Sequence, residues 1–193
     1  MMKITPLKRP FHETLKLPGS KSLTNRALIM AALCKEDSKI EGILESDDTE
    51  ACWNAISSLK ESKFPKNIHC RDAGTVARFL PSVSAAIGGT YHFDANPRLR
   101  DRPLKPLIDI LKQQGVQFEF LNQPNQMPFM LHSSGIPGGN VSIDIHDSSQ
   151  FLSSLCIAAP LTKKGMTIQS THPIADKPYV IMTLKLMEKF GIP

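Results

Sequence analysis

The feature that most constrains this chain is a repeat. Three segments share one order: a helix-like run with little charge, a strand-like run, then a charged amphipathic helix. The first reads SKSLTNRALIMAAL, KIEGIL and DDTEACWNAISSLKE; the second reads AGTVARFLPSVSAAI, GTYHFDA and RPLKPLIDILKQQG. The third reads SSQFLSSLCIAAP, GMTIQST and DKPYVIMTLKLMEKFG. Within each segment the paired helix starts, Ser20 and Asp48, Gly74 and Arg102, Ser148 and Asp176, are 28 residues apart. Order and spacing together identify three copies of one supersecondary unit.

Each copy has the same division of labour. Its first helix is small and apolar, which suits burial on all sides, while its second has a polar outer face. Strands alternating with helices predict an α/β fold, and the repetition predicts a compact pseudo-symmetric domain with the uncharged helices inside and the sheets outside. Pro81 predicts a kink or a tighter turn in its helix, and Pro103 and Pro178 are expected at first helical positions. The runs VQFEFL (116–121), MPFMLH (127–132) and NVSIDI (140–145) predict further strands, with turns at 88–89, 122–128 and 138–139.

Composition narrows the function classes. The chain has 193 residues, 41% hydrophobic and 21% charged, as in an ordinary globular protein with a real core. No apolar run approaches the roughly 18 residues of a membrane span, and MMKITPLKRPF lacks the apolar stretch of a leader. Cys34, Cys52, Cys70 and Cys156 show neither CxxC pairing nor the density of a disulfide scaffold, so a reducing cytoplasm is expected. The six histidines are scattered, and no metal site is expected. The net charge of +5 favours anions, but the basic residues are dispersed and Tyr and Trp are few. That points away from nucleic acid and towards a small anionic ligand.

The helix starts carry the functional signal. Lys21, Ser22, Asn25 and Arg26 share one face of the first helix, yet that face continues into Ile29 and Leu33. A core-bound helix therefore carries two cations at its N-terminal end only. The matching helices begin with Asp72, Ala73, Gly74 and Thr75, and with Ser148, Ser149 and Gln150. Helix starts leave free N–H groups and favour negative charge. If the copies converge, these starts together with Lys21, Arg26, Arg78 and Arg102 form an anion site. Taken singly, each start also reads as an ordinary serine cap beside surface cations.

In order along the chain, LPGSKSLTNRAL, DAGTVARFL, RLRDRPLKPLIDILKQQG, SSQFLSSLCIAAP and DKPYVIMTLKLMEKFG resemble the enolpyruvyl transferase family, and within it the 5-enolpyruvylshikimate-3-phosphate synthases. The similarity runs from about residue 15 to the end. It implies two domains, each an inside-out α/β barrel of three βαβαββ units, closing over the substrates. Residues 15–193 would be the shikimate-3-phosphate-binding domain, ending before its last strands, and residues 1–14 would belong with the second domain. The implied reaction transfers the carboxyvinyl group of phosphoenolpyruvate to the 5-hydroxyl of shikimate 3-phosphate and releases phosphate. It belongs to the shikimate pathway, leading to chorismate and the aromatic amino acids. No metal or organic cofactor is implied, and the full-length relative is expected to be monomeric.

Carried over by motif, Lys21 would contact both substrates and is the catalytic candidate. Ser22 and Arg26 would hold the shikimate carboxylate side, Ser148 and Ser149 its phosphate, Gln150 would pack on the ring, and Tyr179 would help enclose it. Lys21, Asp72, Gly74, Arg102 and Gln150 would surround phosphoenolpyruvate, with Gly74 leaving room for it. This sequence departs from the family pattern at three positions. Asp72 stands for the usual Asn, Asp176 for a Ser that contacts the substrate phosphate, and Ile181 for an Asp. A carboxylate at 72 beside phosphoenolpyruvate requires pairing with Arg78 or Arg102, or protonation. The family's chain is about twice as long, and its catalytic Asp and Glu lie in the part not matched. The isolated chain is therefore expected to bind shikimate 3-phosphate weakly and to turn over nothing measurable.

Two alternatives stay open. One is the related UDP-N-acetylglucosamine carboxyvinyltransferase, whose lysine–asparagine opening and loop cysteine are missing here. The other is a non-catalytic anion-binding fragment or divergent paralogue, favoured by Asp72 and Asp176.

Overall fold

The computed structural model describes residues 3, 5, 6, 9, 10, 12–146, 148–174 and 177–192; Asp176 lies outside them. Helix α1 (Lys21–Leu33) follows Ser20, whose side chain accepts from the Leu23 N–H, and α2 (Asp47–Leu59) follows Ser46. Ser46 and Thr49 satisfy each other's backbone N–H in a capping box, and Asp47, Asp48 and Glu50 put negative charge on the first turn. Next come β1 (Lys66–His69), α3 (Gly74–Ile87), β2 (Gly89–Asp94), the single turn α4 (Pro97–Arg100), α5 (Lys105–Gln113), β3 (Gln117–Phe120) and β4 (Phe129–Ser133). Then follow β5 (Gly139–Ile143), α6 (Ser149–Ala158), a 3-10 turn (Ala159–Leu161), β6 (Met166–Ser170) and α7 (Pro178–Lys189). None of these helices is long and apolar enough to cross a membrane, among the described residues.

The strands form two sheets of a mixed α/β fold. One has the order β1-β2-β4-β3, with β1 parallel to β2 and the remaining neighbours antiparallel. The other is the parallel pair β5-β6. Each parallel pair is joined through a buried helix, α3 in the first and α6 in the second. Parallel strands need such a crossover, because a tight turn can only reverse the chain. Gly88 and Gly89, both at positive φ (85° and 121°), let the chain leave α3 and enter β2 at once. On the inner face of the larger sheet, Tyr91, Phe93, Phe129 and Leu131 are fully buried, following the two-residue period of β2 and β4.

Helices α3 and α6 pack against each other, and Ser82 meets Ser154 at their contact. Ser82, Ser84, Ser153 and Ser154 are all inaccessible, and the Ser154 and Ser82 hydroxyls lie 2.7 Å apart. Short side chains let the two helices approach closely, and the mutual hydrogen bond removes the cost of burying both hydroxyls.

Four sequence expectations change. KIEGIL (39–44) is not a strand. The Leu44 N–H is taken by the Thr24 hydroxyl of α1 at 3.0 Å rather than by a ladder partner. Gly19 also sits so close that a Cβ on it would lie 2.1 Å from the Gly42 carbonyl oxygen. The segment is thus packed on the start of α1, and an unpaired segment cannot form a sheet. Conversely, β1 is a strand without a strong sequence signal, because KNIH has one apolar residue. Its inward positions are Ile68 and the stem of Lys66, whose ammonium reaches the Leu59 carbonyl at the end of α2. Helix α3 runs as one α-helix through Pro81 without a tighter turn. Finally, α5 begins at Lys105, so Pro106 rather than Pro103 occupies its first turn, while Pro178 does open α7.

Candidate functional site

The first turns of five helices border one cleft of about 400 Å³. Lys21 and Ser22 come from α1, Asp48 from α2, Gly74 and Thr75 from α3, Gln150 from α6 and Tyr179 from α7. Arg78, one turn into α3, completes the wall with Asp72, Arg98, Leu99 and Arg102. Helix starts expose N–H groups, so their convergence makes the cleft electropositive before any side chain is counted.

The side chains add to that potential. Among the described residues of the lining, Lys21, Arg78, Arg98 and Arg102 face only two carboxylates, Asp48 and Asp72. Lys21 Nζ lies 2.9 Å from Asp48 Oδ2. Asp72 accepts a hydrogen bond from the Asn96 side-chain amide at 2.6 Å rather than pairing with an arginine. Among the described residues no carboxylate forms an ion pair with Arg78, Arg98 or Arg102.

Arg78 is the most constrained of these cations. Its Nη1 donates to Gln150 Oε1 at 2.6 Å, and its buried Nε has no partner among the described residues. Burial pushes its pKa down, and the neighbouring Arg102 charge pushes it further the same way. Between the two guanidinium groups lies the start of α3. Its N-cap, Ala73, has no capping side chain, and no acid occupies its first turn. A Cβ on Gly74 would sit 3.4 Å from Arg78 Nη1 and 3.7 Å from Arg102 Nη1. A glycine here keeps the backbone N–H groups open between two cations. Helix starts ordinarily attract acids, so two unpaired arginines at one store positive potential that an anion would relieve.

Of the residues singled out in the sequence, Lys21, Ser22, Asp72, Gly74, Thr75, Arg78, Arg102, Gln150 and Tyr179 line this cleft together. Ser148 and Ser149 sit beside it, half-buried and outside its lining; the Ser148 side chain caps α6 by accepting from the Gln150 N–H at 3.3 Å. Arg26 does not line the cleft. It is 1% exposed, wedged between α1 and α7, with its Cζ 4.9 Å from the Phe79 ring centre. Its Nε donates to the Thr183 hydroxyl at 2.7 Å, Nη1 to the Ser22 carbonyl at 2.9 Å and Nη2 to the Tyr179 carbonyl at 3.4 Å. Burial lowers its pKa to about 10, which leaves it charged at neutral pH. Asp176 lies outside the described residues.

Sequence reasoning missed Asp48, Arg98 and Leu99 as lining residues. For Asp48 a signal existed: it stands 28 residues after Ser20, as Arg102 stands 28 after Gly74, and both line the cleft. Arg98 and Leu99 sit on a single-turn helix that no periodicity announces.

Residues 7–193 match the family model for EPSP synthase (3-phosphoshikimate 1-carboxyvinyltransferase). The chain is 37% identical over 218 residues to the 3-phosphoshikimate 1-carboxyvinyltransferase of Actinobacillus pleuropneumoniae serotype 3, across 100% of this chain and 50% of that protein. It is 35% identical over 199 residues to the same-named protein of Sulfurovum sp., across 92% of this chain and 47% of that protein. A solved EPSP synthase from Acinetobacter baumannii shares the fold with a TM-score of 0.76 at 18% identity, over 92% of this chain and 43% of that one. The chain spans about half the length of the curated relatives it matches.

Proposed function

Because the chain belongs to the EPSP synthase family, we propose that it supplies the shikimate 3-phosphate half of an enolpyruvyl transferase site. The whole site would transfer the carboxyvinyl group of phosphoenolpyruvate to the 5-hydroxyl of shikimate 3-phosphate and release phosphate. The observation that carries this reading is the uncapped start of α3, held between Arg78 and Arg102, with no acid in its first turn and, among the described residues, no carboxylate ion-paired to either arginine. The two helix-joined parallel pairs support reading residues 15–193 as three related βαβαββ units of an inside-out barrel domain. The paired helices start at Lys21 and Asp47, Gly74 and Lys105, and Ser149 and Pro178, not at the constant offset expected from the sequence. On that reading residues 1–14 belong with a second domain.

The chemistry suits the cleft. Both substrates carry a phosphate and a carboxylate, and fixed cations and backbone N–H groups bind such groups without reorganising. Lys21 bridges the two anions, Arg102 and the Gly74 backbone meet phosphoenolpyruvate, and Gln150, fixed by Arg78, packs against the ring. Arg26, 1% exposed behind Ser22 and Tyr179 in the free chain, meets the shikimate carboxylate once the half-exposed Tyr179 side chain swings aside; Ser148 and Ser149 meet its phosphate. In the reaction the 5-hydroxyl oxygen bonds to the central enol carbon while the methylene carbon gains a proton. Loss of phosphate and of a proton from that same carbon restores the double bond. Those transfers call for a positioned acid and base, and holding both anions together lowers the entropic barrier.

In titration calorimetry, shikimate 3-phosphate is expected to bind the chain, shikimate to bind far more weakly, and Lys21→Ala to abolish the heat. No heat with either ligand, in a chain shown folded by circular dichroism, would remove this reading. The purified chain is expected to release no phosphate in steady state from the substrate pair. Measurable release would sink the half-site description. The Asp72 carboxylate inside the cleft favours the second reading, an anion-binding protein without catalysis. It predicts that inorganic phosphate binds as well as shikimate 3-phosphate.

A further inference from the structure

We infer that Thr183, buried in α7 and outside the cleft, is a positioning residue that orients the Arg26 guanidinium for an incoming carboxylate. This rests on the reading above, in which Arg26 meets the carboxylate of shikimate 3-phosphate. The starting point is a buried cation without a counter-charge. Among the described residues no carboxylate forms an ion pair with Arg26. Such a charge is tolerated only where its donors are satisfied.

A guanidinium has five N–H donors. Among the described residues three have protein acceptors: Thr183 on Nε, the Ser22 carbonyl on Nη1 and the Tyr179 carbonyl on Nη2. The two left over belong to Nη1 and Nη2, one on each, which is the pattern a carboxylate takes in a two-point contact. The carbonyls already held by those nitrogens belong to Ser22 and Tyr179, both of which line the cleft. Tyr179 also lies beside the group, with its ring centre 5.9 Å from Arg26 Cζ, and is itself half exposed.

The Nε contact decides the orientation. An acceptor at Nε fixes the rotation of the guanidinium plane and therefore the direction of its Nη edge. Thr183 is suited to this, because its side chain is 0% exposed and its hydroxyl is itself anchored. The Tyr179 carbonyl at 2.8 Å and Ser153 Oγ at 3.1 Å are both within reach of it. With its one hydrogen directed to either, the oxygen keeps a lone pair for the Arg26 Nε–H. Helices α1, α6 and α7 meet at this hydroxyl, so the arginine is aimed by the packing of the core.

The test pairs Thr183→Val, which keeps the branched shape and deletes the hydroxyl, with Thr183→Ser, which keeps the hydroxyl. The Arg26 Nε–H resonance in 15N–1H spectra of the full chain, assigned by its loss in Arg26→Lys, is expected to be protected from solvent exchange. Protection should fall roughly tenfold or more in Thr183→Val and persist in Thr183→Ser. Equal protection in Thr183→Val overturns the inference whether or not any substrate binds. In calorimetry, Thr183→Val is expected to bind shikimate 3-phosphate roughly tenfold more weakly, with Thr183→Ser close to wild type. Inorganic phosphate, which has no carboxylate, should bind all three proteins alike. A parallel loss for phosphate, or the same loss in both variants, would make Thr183 merely structural and also overturns the inference. If the wild-type chain binds no shikimate 3-phosphate but Arg26 protection depends on Thr183, the functional reading fails and the positioning role stands. Should Thr183→Val not fold, Thr183→Ala takes its place in both measurements.

Discussion

Arg102→Glu is expected to weaken binding of phosphoenolpyruvate on the order of 100-fold, as reversal of a charge facing a bound anion does, without lowering the thermal midpoint of the free protein. Both halves follow from one arrangement. Arg102 is exposed, lines the cleft, and has no carboxylate ion-pair partner among the described residues, so little folding stability depends on its charge. Its charge acts against the protein's own Arg78, whose pKa it helps to lower. A glutamate would remove that repulsion and give Arg78 a partner, so the midpoint should stay or rise. This is the signature of a residue retained for binding at a cost to stability. Calorimetric titration and a thermal melt on the same samples check it. Unchanged affinity, or weaker affinity that merely follows a fall in melting temperature, would defeat the account of the cleft as an anion site.

Phe129→Ala should destabilise the fold by about 3–5 kcal/mol, the usual range for emptying a buried aromatic site. Phe129 is fully buried on β4, the strand between β2 and β3, so its loss affects both neighbours. It pairs in register with Phe93 on one side and Phe120 on the other. The ring stacks on Phe93 with centroids 5.3 Å apart and meets Phe118 edge-on at 5.4 Å. Alanine would leave a void that the pleated backbone, held on both edges by hydrogen bonds, cannot close. Phe129→Leu, which fills much of the space, should cost about 1.5 kcal/mol or less. Urea titration followed by circular dichroism reads both: the midpoint should shift while the slope stays constant. A loss below about 1 kcal/mol for the alanine variant would show that this sheet does not limit global stability.

Much of the architecture was legible because local signals agreed with one another. Ser20 and Ser148 do cap α1 and α6, Pro178 does open α7, and the runs at 116–121, 127–132 and 140–145 contain β3 and most of β4 and β5. The failures fall where a local pattern depends on a distant partner. KIEGIL alternates well enough for a strand, but its backbone is held by Thr24 and the approach to Gly19. KNIH alternates poorly, yet it is a strand because β2 lies beside it in parallel register. Strand formation is a property of a pair, and one segment carries half of the information.

The cleft divides in the same way. Sequence by itself determined which residue types stand at or just before the helix starts, and their similar order along the chain suggested reading them together. Lys21, Gly74, Arg102 and Gln150 were therefore identifiable before any coordinate. Tertiary structure alone decided which of these groups share a cavity, that Asp48 and Arg98 join them, and that Arg26 turns inward to Thr183. The physical reason is that a cap or a helix face is set by neighbours within about one turn of chain. The burial of a charge and its partner, in contrast, depends on how α1, α6 and α7 pack across more than a hundred residues of sequence.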